Sequence, residues 1–372
     1  MNTGSAGSTL TYAIVGSAAS IVGMHLDALA HLPHTDVVAM CDIDTEKGAE
    51  RAKGAGCPFF TDHRELLEKV RPDIAVICTP HPLHARIAVD CFRAGAHVLV
   101  EKPIAVDTAD ADEMIAAADS AGRLLAVNFQ ERFRPAIEYA RAFIAGGGMG
   151  SMLRVLSVEP WLRTAAYYRS APWRGTWKGE GGGVLMNQAP HTLDLLCHLA
   201  GMPVRVWGVA RRRVHEIQCE DSAHALLEYE GGAMGYVTVS TAEAGVDQRL
   251  EMLGDRALIQ LVADQLSVVR FDPPLRQHIA TAQEGLHQPR GNAERIDVPE
   301  LTRPRHDAIH EDFQMAIRRK GKPRCDGRDA RMSLELANAI LLSSFTERPV
   351  DLPLDRPAYS KLLSRLRRES AD

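Results

Sequence analysis

Short apolar runs alternate with amphipathic stretches through the first third of the chain. Tyr12–Val15, Val37–Cys41, Ile74–Cys78, Val98–Val100 and Leu124–Val127 read as strands. Most are apolar at successive positions, the pattern of strands buried on both faces of a parallel sheet. Between them, Ile21–Leu32, Thr45–Lys53, Glu65–Val70, Leu83–Ala94 and Ala109–Ala121 carry helical spacing. Strands separated by helices imply βαβ units and a doubly wound parallel sheet.

Beyond residue 128 the rhythm changes. Arg134–Ala145 is helical and ends at Gly146–Gly148, and Met152–Glu159 follows as a strand. Ala223–Tyr229, Gly235–Ser240, Arg249–Leu253 and Leu258–Leu261 are strands with glycine-containing turns between several of them, which predicts antiparallel pairing. Met186–Ala200 and Ala330–Phe345 read as helices. The division predicted is a first domain over 1–128 and a second over 129–372, with the C-terminal helix packing back on the first.

The 372 residues are 45% hydrophobic and 24% charged, ordinary for a globular chain long enough for two cores. A net charge of −5 gives no general attraction to nucleic acid or an anionic membrane. No apolar run approaches the roughly 18 residues that a membrane span needs. The first ten residues lack a basic start and an apolar core, which argues against a secretory leader. Seven cysteines without a Cys-x-x-Cys pair argue against a disulfide framework and a zinc site, so a reducing, cytoplasmic setting and no metal are expected.

The turn after the first strand carries Gly16, Ala18, Ser20 and Ile21 at the start of a helix. A dinucleotide fingerprint wants three glycines, and here Ala18 and Ile21 stand at the second and third positions, so the turn alone is equally consistent with a tight βα connection. Asp42 strengthens the cofactor reading: it follows the second strand, where a carboxylate accepts the ribose hydroxyls of NAD and repels the extra phosphate of NADP. Two prolines shape the loop from Thr79 and Pro80 to His84, and a histidine at the start of the following helix is expected beside the cofactor rather than on a metal. Glu101 and Lys102 lie just past the Val98–Val100 strand, at the sheet edge where open α/β folds bind ligands.

Together, Thr79-Pro80 with His84, Glu101-Lys102-Pro103 and Asn128-Phe129-Gln130 followed by Arg132-Phe133 resemble the glucose–fructose oxidoreductase, inositol dehydrogenase and rhizopine-catabolism (Gfo/Idh/MocA) family. Trp173-Arg174 ahead of Gly181–Gly183, the stretch from Gly181 through Asn187 and His191 to Asp194, Asp312-Phe313 with Ala316-Ile317, and Val350–Pro353 extend the likeness over nearly the whole chain. The resemblance implies an α/β fold: an N-terminal Rossmann doubly wound parallel sheet, then an α/β domain with a large open, mainly antiparallel sheet that carries substrate and oligomer contacts. It implies NAD(P)-dependent oxidation or reduction of a secondary hydroxyl on a sugar, glycoside or cyclitol. It further implies proton handling by Lys102 and His191, and a homo-oligomer, dimer or tetramer.

The cofactor set expected is therefore Gly16, Ala18, Ser20, Ile21, Asp42, Thr79, Pro80, His84, Glu101, Lys102, Asn128, Gln130, Trp173 and Arg174. The substrate set is Lys102, Tyr168, Arg169, Asn187, His191 and Asp194. A cluster of Trp161, Tyr167, Tyr168, Trp173 and Trp177 interleaved with arginines suits a wall against a sugar face, or an ordinary packed loop. Asn187, His191 and Asp194 would share one helical face. Hydride transfer needs a proton acceptor, and a histidine near its ordinary pKa of about 6.5 suits neutral pH better than a lysine near about 10.4. His191 is thus the expected general base, with Lys102 polarising the oxygen, Glu101 orienting Lys102 or facing the cofactor, and Asp194 holding the imidazole or a hydroxyl. The family usually has aspartate where Asn187 stands, and an amide cannot take up a proton. Two alternatives share these residues: an NAD-recycling glycosidase acting by oxidation and elimination, and a non-catalytic NAD-binding sensor.

Overall fold

The computed structural model describes residues 8–286, 289, 291, 293–299 and 304–370. Residues 1–7, most of the segment considered as a leader, lie outside that range. Two compact units make up the chain: Met1–Gln130 with Thr302–Leu334, and Glu131–Leu301 with Glu335–Asp372.

The first unit begins with β1 (Leu10–Val15), α1 (Val22–His31), β2 (Thr35–Cys41), α2 (Thr45–Gly54), β3 (Phe59–Phe60), α3 (His63–Val70), β4 (Ile74–Ile77), α4 (His84–Arg93), β5 (His97–Val100), α5 (Thr108–Ala121) and β6 (Leu125–Val127). All six strands are parallel in the order β3-β2-β1-β4-β5-β6, a Rossmann sheet whose direction of winding reverses between β1 and β4. Every residue of β4 and β6 is buried, which is why these strands read as unbroken apolar runs. Aspartates cap the helices on the sequence's own terms: Asp44, Asp62 and Asp107 each accept a backbone N–H in the first turn of α2, α3 and α5.

The second unit opens with α6 (Pro135–Ala145), β7 (Met152–Pro160), α7 (Ala165–Arg169), α8 (Val184–Asn187) and α9 (Pro190–Ala200). It continues through β8 (Arg205–Arg211), β9 (Ser222–Glu228), β10 (Met234–Ser240), β11 (Arg249–Gly254), β12 (Ala257–Val262), β13 (Gln265–Arg270), α10 (Leu275–Thr281) and β14 (Ala293–Arg295). The chain then runs through α11 (Arg305–Arg319), α12 (Gly327–Thr346), β15 (Val350–Asp351) and α13 (Arg356–Glu369). The nine-stranded sheet has the order β14-β13-β12-β11-β7-β10-β9-β8-β15, antiparallel except where β7 meets β10. Burial alternates along β8 and β12, so one face is covered and the other bare. Ala136 and Ile137 of α6 and Leu199 of α9 meet Leu250, Met252 and Ile259 on the covered face.

The two compact units group the chain differently from a single boundary at residue 128. Residues 302–334 group with the first unit, and the C-terminal helix α13 groups with the second. The physical reason is visible in the backbone: Val127 N–H donates to the Cys325 carbonyl, and Leu125 fills the space a side chain at Gly327 would need.

Candidate active site

In the first unit, β1 ends in a turn at Gly16, with φ of +93°. A Cβ there would stand 2.6 Å from the Cys78 carbonyl carbon and the Thr79 nitrogen, so only glycine lets the turn pass the end of β4. Asp42, directly after β2, accepts the Ala18 N–H on Oδ2 at 2.7 Å and the Asp44 N–H on Oδ1 at 2.9 Å. Arg51 of α2 braces the same turn from behind, donating to the carbonyls of Ser17 and Ala19 at 2.5 Å each. Ser20 is exposed on the turn, and Ile21 leads into α1. Sequence reading passed over Arg51, because a lone arginine on a charged helix carries no motif.

At the carboxyl ends of β4 and β6 the side chains have unmet hydrogen bonds. Thr79 Oγ1, Asn128 Oδ1 and Gln130 Oε1 are buried with no partner. Buried polar atoms are rarely left so, and a ligand bearing both a donor and an acceptor, such as the carboxamide of nicotinamide, fits them. Pro80 is exposed beside them. His84 does not join this set. It is fully buried, with Nδ1 at 2.9 Å from the Pro103 carbonyl and Nε2 at 2.8 Å from the Thr79 carbonyl. Burial lowers its pKa, against the opposing pull of those carbonyls. His84 pins the Thr79 loop to the Pro103 loop.

Glu101 and Lys102 stand immediately after β5, both partly buried. Glu101 Oε1 lies 2.9 Å from His25 Nε2 and accepts from Asn128 Nδ2 at 2.5 Å. Burial alone would raise the Glu101 pKa, but His25, Asn128 and Lys102 outweigh it and hold the carboxyl down at about 2. His25 Nδ1 continues the chain to His310 Nε2 at 2.9 Å. Neither histidine stood out in the sequence, where a lone histidine in an apolar helix gives little signal; His306 and His310, one turn apart in α11, were the available hint.

In the second unit, the three consecutive glycines at 181–183 lead into α8. A Cβ on Gly183 would fall 1.8 Å from the Glu220 carbonyl oxygen, while Glu220 Oε1 accepts the Gly183 and Leu185 N–H groups at 2.9 and 3.1 Å. Asn187 Nδ2 donates to Glu180 Oε1, and Glu180 Oε2 accepts the Gly175 N–H at 2.5 Å. The single helix expected over Met186–Ala200 is in fact two, broken ahead of Pro190, because proline has no N–H to continue α8. Asn187 is thus on α8 and His191 on the first turn of α9, so the three polar residues do not form one helical stripe.

Asp194 is 1% exposed, and both carboxylate oxygens are taken by Arg132, at 2.8 Å from Nε and 2.5 Å from the second guanidinium nitrogen. A carboxylate so held anchors α9 to Arg132. His191 itself is partly exposed. Close by in sequence, Thr192 donates to Glu159 Oε2, whose Oε1 accepts from Gln248 at 2.5 Å. Burial pushes Glu159 up to about 7.

The aromatic segment is an internally stacked wall. The Arg174 guanidinium lies 4.2 Å over the Tyr167 ring and 4.5 Å over Trp173, and Arg163 lies 5.0 Å over the same Tyr167 ring and 5.3 Å over Trp161. Tyr167 Oη accepts from Arg174 at 2.6 Å and from Gln188 at 3.0 Å. Tyr168 shares a hydrogen bond with Thr241 at 2.8 Å, and Arg169 is exposed on α7. Among the described residues no group of three or more histidines, cysteines or carboxylates is arranged to hold a metal ion, and no helix is long and apolar enough to cross a membrane.

The strand order of the first unit is that of a Rossmann sheet, the fold of dinucleotide-dependent oxidoreductases. Residues 10–129 match the oxidoreductase family with an NAD-binding Rossmann fold, and residues 137–260 match the GFO/IDH/MocA C-terminal domain. The chain belongs to the GFO/IDH/MocA family, and its cofactor is NAD. Among its relatives, trans-1,2-dihydrobenzene-1,2-diol dehydrogenase of Bos taurus is 31% identical over 239 residues, covering 63% of this chain and 69% of the relative. Myo-inositol 2-dehydrogenase of Thermotoga maritima is 24% identical over 245 residues, covering 63% and 70%. The WlbA dehydrogenase of Bordetella pertussis, solved with NADH and UDP-GlcNAcA, superposes with a TM-score of 0.80 at 27% identity, over 93% of this chain and all of that one. Levoglucosan dehydrogenase, solved with NADH, shares the fold at 21% identity, with a TM-score of 0.80 and coverage of 93% and 100%.

Proposed function

We propose that this protein is an NAD-dependent dehydrogenase or reductase that moves hydride between nicotinamide and a secondary hydroxyl or ketone of a sugar, glycoside or cyclitol. The observation that carries the reading is the Glu101–Lys102 pair after β5, set among strand ends whose buried polar atoms lack partners. The Gly16 turn with Ala18, Ser20 and Ile21 holds the pyrophosphate, Asp42 the adenosine ribose, and Thr79, Pro80, Asn128 and Gln130 the nicotinamide end; Trp173 and Arg174 are assigned to the same cofactor. NAD, when bound, accepts or returns the hydride. His191 takes the hydroxyl proton in the oxidative direction and returns it in the reductive one. Lys102 donates a hydrogen bond to the reacting oxygen and stabilises the charge that develops there. Asn187, held by Glu180, and Tyr168 and Arg169 bind further hydroxyls or a charged substituent.

The substrate class finds support in relatives named for polyol and sugar chemistry, inositol and WlbA among them. Asp42 favours NAD over NADP by repelling a second phosphate. We further propose a homo-oligomer working in the cytoplasm. The experiment is a screen of cyclitols, free sugars and nucleotide-linked sugars with NAD and with NADP, following reduced nicotinamide. Stereospecific turnover of at least one polyol supports the reading. NAD binding with no turnover across all three classes, in both directions, would instead leave a sensor.

A further inference from the structure

Behind the Glu101–Lys102 motif lies a chain of polar side chains with a direction and no outlet. His25 is fully buried in α1, between Glu101 on one ring nitrogen and His310 on the other, each at 2.9 Å. An ionised carboxylate only accepts, so His25 Nε2 must donate to Glu101. Neutral His25 then offers a lone pair at Nδ1, which obliges His310 to donate from Nε2. The chain stops there: His310 Nδ1 is buried and has no partner. With the protons in this order the orphaned atom is a lone pair, whereas a protonated His25 would leave His310 with an orphaned N–H, the rarer and costlier outcome.

We infer that His25 and His310 are positioning residues for the reaction proposed above, a tautomer lock that keeps Glu101 an oriented carboxylate beside Lys102. The inference rests on the proposed role of Lys102, whose neighbouring charge the lock sets. A proton wire is the obvious rival for a buried His–His–Glu chain. The geometry disfavours it, because the exposed His31 pairs with Asp307 at 3.0 Å and, among the described residues, no hydrogen bond joins it to His306 or His310. A wire needs a far end, and this chain has none.

The groups that act on Glu101 are His25 from α1, Asn128 after β6 and the adjacent Lys102, with the charge of Glu101 felt in turn by Cys78 after β4 and His84 of α4. His25 is flanked edge-on by His306 and His310 of α11, and His310 packs on Tyr12 of β1. Burial is the largest influence on His310 and favours its neutral form.

The test follows the Glu101 carboxyl by carbon-13 resonance in the full chain with and without NAD, assigned by its loss in Glu101→Gln. In the wild type the carboxyl stays ionised down to about pH 4, well below an ordinary glutamate. His25→Leu removes a charge-assisted donor and moves the midpoint up by about one to two pH units. His25→Gln, which retains an N–H donor, brings it most of the way back. The same shift appears as extra loss of kcat/KM at acid pH in His25→Leu, while a purely packing role lowers thermal stability and leaves the midpoint where it was. An unmoved midpoint in folded His25→Leu overturns the lock. Should that variant not fold, nitrogen-15 spectra of the wild type decide: the lock places the proton on Nε2 of both histidines, and a His25 protonated on Nδ1 overturns the assignment. Failure of the reaction itself reads separately, since Lys102→Met with normal turnover sinks the proposed mechanism, whereas the shift that His25→Leu causes in the Glu101 midpoint is read in a chain that retains Lys102.

Discussion

Asp42 Oδ2 accepts the backbone N–H of Ala18 at 2.7 Å, so the acid expected at the ribose also tethers the turn expected at the pyrophosphate. The chain lacks the second fingerprint glycine, and this tether, with the Arg51 brace on the opposite side, orders a turn that would otherwise rely on glycine geometry. With the ribose role proposed above, one carboxylate would couple cofactor selection to the shape of this turn.

That coupling predicts different outcomes for two substitutions. Asp42→Ala and Asp42→Asn both remove the charge that opposes the extra phosphate of NADP, and both narrow the NAD:NADP ratio of kcat/KM by about tenfold or more, about 1.4 kcal/mol. Only Asp42→Ala loses the tether, with about 1 kcal/mol of stability. Asn keeps an oxygen that can accept the Ala18 N–H. Steady-state kinetics with both cofactors and thermal melts check this; a ratio unchanged in both variants removes Asp42 from the ribose.

The parallel sheet was legible because strands such as Ile74–Ile77, buried along their whole length, leave no ambiguity of period. The glycine turn, Asp42 and the Glu101–Lys102 motif were legible because their chemistry sits at fixed offsets from strand ends. What escaped was mostly long-range. Arg132 meets Asp194 across 62 positions and His25 meets His310 across 285, and no local pattern encodes either pairing. Asp194 and His84 carry protein partners that no motif announces, because burial directs both toward Arg132 and the Thr79 and Pro103 carbonyls. The helix break was available in Pro190, but the i, i+4, i+7 spacing of Asn187, His191 and Asp194 outweighed it.

Lys102→Met removes the ammonium while keeping the bulk of the side chain. Turnover falls by at least about a hundredfold, the range for losing one charge-stabilising donor at the reacting oxygen. NAD affinity, measured by titration calorimetry, stays within a few-fold because the remaining cofactor contacts persist. Near wild-type kcat would remove Lys102 from the chemistry.

Asp194→Ala strands Arg132 in the interior, where it is 3% exposed. Breaking a buried pair from one side costs about 3–5 kcal/mol, so a substantial fall in melting temperature is expected. Replacing both partners with Leu and Met recovers much of it. Activity per folded molecule stays within a few-fold in the double variant if Asp194 only anchors α9. A stable Asp194→Ala enzyme that has lost kcat would return Asp194 to the proton-handling group.

Glu159 predicts a pH dependence of stability in the second unit. Its folded pKa is raised to about 7 by burial, from an ordinary value of 4.5. In the raised direction the folded state holds the proton more tightly than the unfolded chain. Stability from this group is therefore complete below the unfolded value, declines as pH rises between the two, and is gone once pH has passed about 7. Glu220, also pushed up to about 7 by burial, acts with the same sign. Glu159→Gln abolishes one of these titrations while leaving an amide that can still meet Thr192. The variant should gain on the wild type as pH rises, by roughly 1–3 kcal/mol at pH 8 relative to pH 5. Denaturant melts at the two pH values measure that difference, and an equal offset at both would show that Glu159 ionises in the folded protein as it does in the unfolded chain.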